Sequence, residues 1–182
     1  SNSEDIFSVL FVFGLFRWCG WNEKDITFDI VPLFETMKGM DASEEVMQTL
    51  FDIPKYRQHL ERRRDIHTIM LGFSDGTKDG GYLKANWSIL KTKETLSKVC
   101  KKNGIAAIFF DGRGGPPARG GGKTHRFYAA QTKDVANHEI QLTIQGQTIT
   151  STYGTKEQFM HNSEQLLTAG LSNNLFGKEL TI

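Results

Sequence analysis

Four short apolar runs recur along this chain at nearly constant intervals, and each closes on an acidic or amide residue. The runs are Ile26–Phe34 (ITFDIVPLF), His67–Phe73 (HTIMLGF), Ile105–Phe110 (IAAIFF) and Ile140–Ile144 (IQLTI); Glu35, Asp75, Asp111 and Gln145 stand at or just past their carboxyl ends. Those positions are spaced by 40, 36 and 34 residues, the length of a strand, a crossover helix and its loops. Helical signals fill the intervals. Ser43, followed by Glu44 and Glu45, predicts an N-cap and acidic first turn for a helix to about Phe51, and Pro54 opens another to about Arg64. Leu83–Lys102 is amphipathic and stops at Asn103-Gly104, while Thr124–Gln131 and Lys156–Ala169 complete the set.

This alternation predicts an α/β fold with about four consecutive β/α units and parallel strands. Strands that are apolar throughout predict cover on both faces, as in a β/α barrel or a doubly wound sheet. Four units make half of an eight-unit barrel, so a partial (β/α)8 TIM-type barrel is expected, with a small open sheet as the alternative. Residues 1–182 are read as a single domain cut from something larger, with Ser1-Asn2 a cloning scar. Half a barrel would leave a sheet edge and apolar helix faces unpaired, which predicts self-association.

Charge excludes some partners. Twenty-two Lys and Arg against 21 Asp and Glu leave a formal charge of +1, too balanced for a polyphosphate backbone or an anionic membrane surface. The apolar helix Ile6–Phe16, ending near Gly20, is broken by Ser8 and Gly14 and is too short for a membrane anchor; it needs cover on several sides. Glu4 and Asp5 precede it where a signal peptide would carry basic residues. Cys19 and Cys100 show no ligand or disulfide spacing, so a reducing, cytoplasmic setting is expected. Trp18, Trp21 and Trp87 are expected in the core, His59, His67, His138 and His161 in structural roles, and Arg62-Arg63-Arg64 at a solvated helix end.

In parallel α/β folds the carboxyl ends of the strands converge on one rim. Glu35, Asp75 and Asp111 map to that rim, where oxygen ligands completed by water suit Mg²⁺ or Mn²⁺; the competing reading of each is a helix cap. Lys78, three residues after Asp75, could fix an anionic substrate beside the metal, or simply be solvated. The segment 112–122 holds six of the 18 glycines and two of the four prolines. Its glycines, Gly114 and Gly115 among them, let backbone N–H groups approach an anion, and Arg113 and Arg119 supply forked donors. Together they suggest an oxyanion clamp rather than an ordinary surface loop. His125 could reach the same rim. The GGGKT at 120–124 lacks Walker A spacing, and the RGG clusters lack aromatic interleaving, so neither a P-loop nor RNA binding is expected.

The segments IVPLFET at 30–36, IMLGFSDGTKDGG at 69–81 and FDGRGGPPARGGG at 110–122 resemble phosphoenolpyruvate carboxylase, and KTHRFYAAQ and LTIQGQ extend the likeness over most of the chain. The resemblance implies a carboxy-lyase that joins phosphoenolpyruvate and bicarbonate to give oxaloacetate and phosphate, with this chain a central piece of its barrel and inactive alone. It implies that Glu35 and Asp75 hold the divalent metal, that Lys78 is the motif's active-site lysine, and that Arg113 contacts substrate phosphate. Arg119 falls on a second loop arginine, catalytic in the family and open to capture by an acidic feedback inhibitor such as aspartate or malate. A homotetrameric full-length enzyme is also implied. Four positions depart from the motifs: Asp111 replaces the histidine before GRGG, Phe73 replaces a tyrosine, Gly76 replaces a serine, and Gln147 stands where QGE is usual. Asp111 is nonetheless counted with the catalytic positions. The alternative function is a non-catalytic α/β module that binds a phosphorylated metabolite through the glycine loop.

Overall fold

The computed structural model describes residues 2–114, 122–135, 139–144 and 146–176. Its sheet has four strands in the order β1-β2-β3-β4, all parallel: β1 (Leu33–Phe34), β2 (Ile66–Gly72), β3 (Ala106–Gly114) and β4 (Ile140–Ile144). Helix α1 (Asn2–Trp18) precedes the sheet, and α2 (Met37–Asp41), α3 (Ser43–Asp52) and α4 (Pro54–Arg62) connect β1 to β2. Next come α5 (Ser74–Gly80) and α6 (Tyr82–Lys102) before β3, α7 (Thr124–Ala129) before β4, then α8 (Gln147–Tyr153) and α9 (Lys156–Phe176).

The strand order decides between the two expected architectures. Right-handed crossovers between sequential neighbours put every helix on the same face, whereas a doubly wound sheet reverses its order part-way. The register pairs Ile69 with Phe109 and Leu71 with Asp111, and these residues are buried beneath the helices. Ile66 points the other way and is 40% exposed. The fold is therefore a partial β/α barrel. On the same face as Ile66, Thr68 is buried and Met70 half-buried, so that face is only partly covered by the described residues.

Several local expectations change. The first strand is two residues long instead of spanning Ile26–Phe34; Pro32 has no N–H, though its carbonyl accepts from the Met70 N–H at 2.9 Å, and Asp29 earlier in the segment accepts from Arg63 Nε at 2.7 Å. Ser43 is the first residue of α3 and Ala42 its cap, because α2 ends immediately before it. The third strand runs on to Gly114, so Asp111 lies inside β3 rather than at its end, and α9 continues to Phe176. Asp75 sits in the first turn of α5, a helix the periodicity did not predict.

The tryptophans are also corrected. Trp18 is 85% exposed, Trp21 47% and Trp87 54%. Helix α1 packs through Phe13, with Ile6, Val9 and Phe16 beside it, which leaves Phe7, Phe11 and Trp18 outside. Trp87 stands off the buried stripe of α6, with the Lys91 ammonium 5.0 Å from its ring. Among the described residues, no helix is long and apolar enough to cross a membrane.

Candidate active site

The rim is shaped by glycines. A Cβ on Gly72 would stand 2.5 Å from the Cβ of Glu35 and 3.2 Å from its Cα, so the last residue of β2 must be glycine for Glu35 to lie across it. Gly112 is the β3 partner of Gly72, and a Cβ there would meet the Leu71 carbonyl oxygen at 3.1 Å. Gly76, next to Asp75, is less constrained: its Cβ position is in ordinary contact with the Glu35 carbonyl oxygen at 3.5 Å and 3.1 Å from the flexible Met37 methyl. The Gly72 and Gly76 positions bring the segment after β1 against the end of β2 and the first turn of α5. Lys78 donates from Nζ to Asp75 Oδ1 at 2.6 Å, one helical turn away on an exposed face.

Among the described residues, no three or more His, Cys, Asp or Glu converge. Glu35 and Asp75 are two carboxylates the sequence places at this rim, and they are oxygen donors only. That donor set fits Mg²⁺ or Mn²⁺, which keep several coordination positions for water and substrate oxygens. It does not suit a tetrahedral structural metal.

Arg113 takes a different direction. It shares a face of β3 with Phe109 and Asp111 and is only 4% exposed. Its guanidinium lies 4.3 Å from the centre of the Phe127 ring and 5.1 Å from that of Phe73. Nη1 donates to Asn86 Oδ1 at 3.0 Å, while Nε is buried with no hydrogen-bond partner among the described residues. Arg113 also floors a groove of about 630 Å³ between α6 and α7, where Tyr82, Trp87 and Phe127 form apolar walls and Gln131 and Lys123 add polar ones. The structure therefore pairs Lys78 with Asp75 and places Arg113 in the layer between β3 and its helices. Gly114 ends β3; Gly115, Arg119, His138 and Gln145 lie outside the described residues. His125 is in the first turn of α7 and lines a cavity with Leu142 and His161.

Asp111 is 1% exposed, and its Oδ2 accepts from Lys93 Nζ at 2.8 Å and from the Tyr128 hydroxyl at 2.7 Å. Burial pulls the Lys93 ammonium below its ordinary pKa, and the Asp111 carboxylate opposes that pull. Burial, then the adjacent carboxylate, raise the Tyr128 phenol. The sequence reading missed both partners. Lys93 left a usable signal, since Ile89, Lys93, Leu96 and Cys100 fall on one buried stripe of α6 and a lysine there demands an anion. Tyr128 left none.

The phosphoenolpyruvate carboxylase family model matches residues 1–181. The chain belongs to the phosphoenolpyruvate carboxylase family. The phosphoenolpyruvate carboxylase of Nitrosomonas eutropha is 39% identical over 153 residues, 84% of this chain and 16% of the relative. That of Corynebacterium glutamicum is 36% identical over 170 residues, 93% of this chain and 18% of the relative. That of Azoarcus is 39% identical over 153 residues, 84% of this chain and 17% of the relative. The chain thus spans about a sixth of the length of the carboxylases it matches. Glu35 and Asp75 sit in the PLFET and GFSDGTK segments, and the buried Asp111 sits in FDGRGG.

Proposed function

We propose that this segment belongs to an enzyme that carboxylates phosphoenolpyruvate with bicarbonate, giving oxaloacetate and inorganic phosphate. The observation that carries the reading is the family match across the chain, supported by the tight seating of Glu35 on Gly72 at the end of β2, with Asp75 following in α5. Glu35 and Asp75 would hold Mg²⁺ or Mn²⁺. When bound, the ion supplies stabilisation of the negative charge that develops on the enolate oxygen.

The remaining chemistry is assigned to side chains. Lys78 would turn its ammonium from Asp75 toward the substrate carboxylate or phosphate. Arg113, its plane already set by Phe127 and Phe73, would neutralise phosphoryl oxygens as bicarbonate attacks phosphorus, with Arg119 and the N–H groups of Gly114 and Gly115 assisting. Keeping water from the enolate until carbon dioxide is captured would fall to the glycine-rich segment 112–122. Arg119 is also the proposed point at which aspartate or malate inhibits, and a cytoplasmic homotetramer is the proposed full-length form.

The test is a Mn²⁺ titration of the full-length protein, followed by water-proton relaxation, with Glu35→Gln and Asp75→Asn beside it. Loss of binding and of oxaloacetate formation in both variants is expected. Binding that survives both would overturn the assignment. The 182-residue chain alone is expected to turn over negligibly, because most of the relatives' length lies outside it.

A further inference from the structure

We propose that Asp111 ties together the two segments flanking residues 115–121, that Lys93 is the cation which makes that buried carboxylate tenable, and that the resulting unit positions Arg113. The catalytic part of this inference rests on the carboxylase reading above.

The geometry begins with one oxygen. Asp111 Oδ2 receives Lys93 Nζ from α6 and the Tyr128 hydroxyl from α7, at 2.8 and 2.7 Å. Asp111 lies in β3 shortly before Gly114, and Tyr128 lies in α7, which begins at Thr124 shortly after Gly122. A single carboxylate oxygen therefore spans both flanks and pins them to the helix behind. Asp111 and Lys93 are each 1% exposed and Tyr128 4%, so water does not compete for these bonds.

The same unit reaches Arg113 by packing. Phe127, the neighbour of Tyr128, lies with its ring centre 4.3 Å from the Arg113 guanidinium carbon and 5.0 Å from Lys93 Nζ. One ring thus serves both cations, and Tyr128 sets where that ring stands. Asp111 and Arg113 project from the same face of β3, so a shift of α7 would move the surface on which Arg113 rests. Asp111 is here a positioning residue rather than a proton donor.

Charge gives the inference its sharper consequence. A histidine at position 111 would leave the Lys93 ammonium buried without a carboxylate and beside Arg113, an arrangement that costs more than either residue alone. Histidine should be tolerated only when position 93 is neutral. Lys93→Gln supplies a neutral side chain of similar length that can hydrogen-bond an imidazole.

The experiment uses the full-length protein and four forms: wild type, Tyr128→Phe, Asp111→His, and Asp111→His with Lys93→Gln. Thermal midpoint, kcat and KM for phosphoenolpyruvate are measured for each. Tyr128→Phe should keep its thermal midpoint within a few degrees and raise KM about tenfold, the loss of one hydrogen bond to a charged acceptor. Asp111→His should be poorly folded, and adding Lys93→Gln should restore folding and bring KM back toward wild type. An unchanged KM in Tyr128→Phe would overturn the positioning role. A double variant no better folded than Asp111→His would overturn the dependence on Lys93. Wild-type protein without carboxylase activity would instead overturn the functional reading and the positioning of Arg113 for substrate with it, and the thermal midpoints of the Asp111 and Lys93 variants would still decide the charge dependence.

Discussion

Glu35 crosses over Gly72 with no room for a side chain between them: a Cβ added to Gly72 would come within 2.5 Å of the Glu35 Cβ. The acidic end of β1 is thus placed by the absence of an atom in β2. Gly72→Ala should push Glu35 off the strand end. Because the clash includes Glu35 Cα at 3.2 Å, the backbone and not a flexible side-chain tip must move, and the destabilisation expected is about 1–3 kcal/mol. Mn²⁺ titration and urea unfolding of the variant check both effects, and a Gly72→Ala protein with native metal affinity would contradict this placement.

Lys78 and any metal at Asp75 compete for one carboxylate. The Lys78 side chain is 66% exposed and that of Asp75 47%, so their 2.6 Å contact is a weak surface ion pair. Lys78→Met should therefore tighten Mn²⁺ binding by no more than about fivefold, the scale of such a pair. Its kcat should fall sharply all the same, since the proposed role of Lys78 lies with the substrate. Relaxation titrations and steady-state rates measured on the same preparation separate the two effects.

Two buried histidines make the fold sensitive to acid. His67 is 2% exposed, with Nε2 3.2 Å from the Tyr56 hydroxyl, and burial lowers its pKa from 6.5 to about 4. Burial, with Arg62 and Arg63 nearby, lowers His59 as well. The native state therefore binds fewer protons than the unfolded chain below pH 6.5. The stability contributed by neutral His67 is complete above that pH and is lost as pH falls toward 4, about 3 kcal/mol in all. Urea midpoints between pH 7.5 and 4.5 should fall accordingly, and His67→Gln should flatten the slope.

Cys100 should be inert while the protein is folded. It is 1% exposed on α6, and burial pushes its thiol up to about 12, so almost no thiolate exists at neutral pH. Brief iodoacetamide treatment at pH 8 followed by peptide mapping should leave Cys100 unmodified until denaturant is added. Modification of Cys100 at the rate of a free thiol would show that α6 opens locally.

The apolar runs, the spacing of the acidic strand ends and the punctuation by Pro54 and Asn103-Gly104 were enough to read an α/β chain of repeated units. They were enough because periodicity and turn chemistry are local properties. The positions of Glu35, just past β1, and of Asp75, just past β2, followed from the same local pattern. The sequential strand order, which separates a barrel from a doubly wound sheet, was not local, and it exists only once β2 has paired with both β1 and β3. Tertiary structure alone also turned Arg113 into the helix layer, moved Trp87 out of the core and joined Asp111 to Lys93 and Tyr128. Such pairings depend on which residues from distant segments share a water-free space, where a charge must find its partner or not be buried at all.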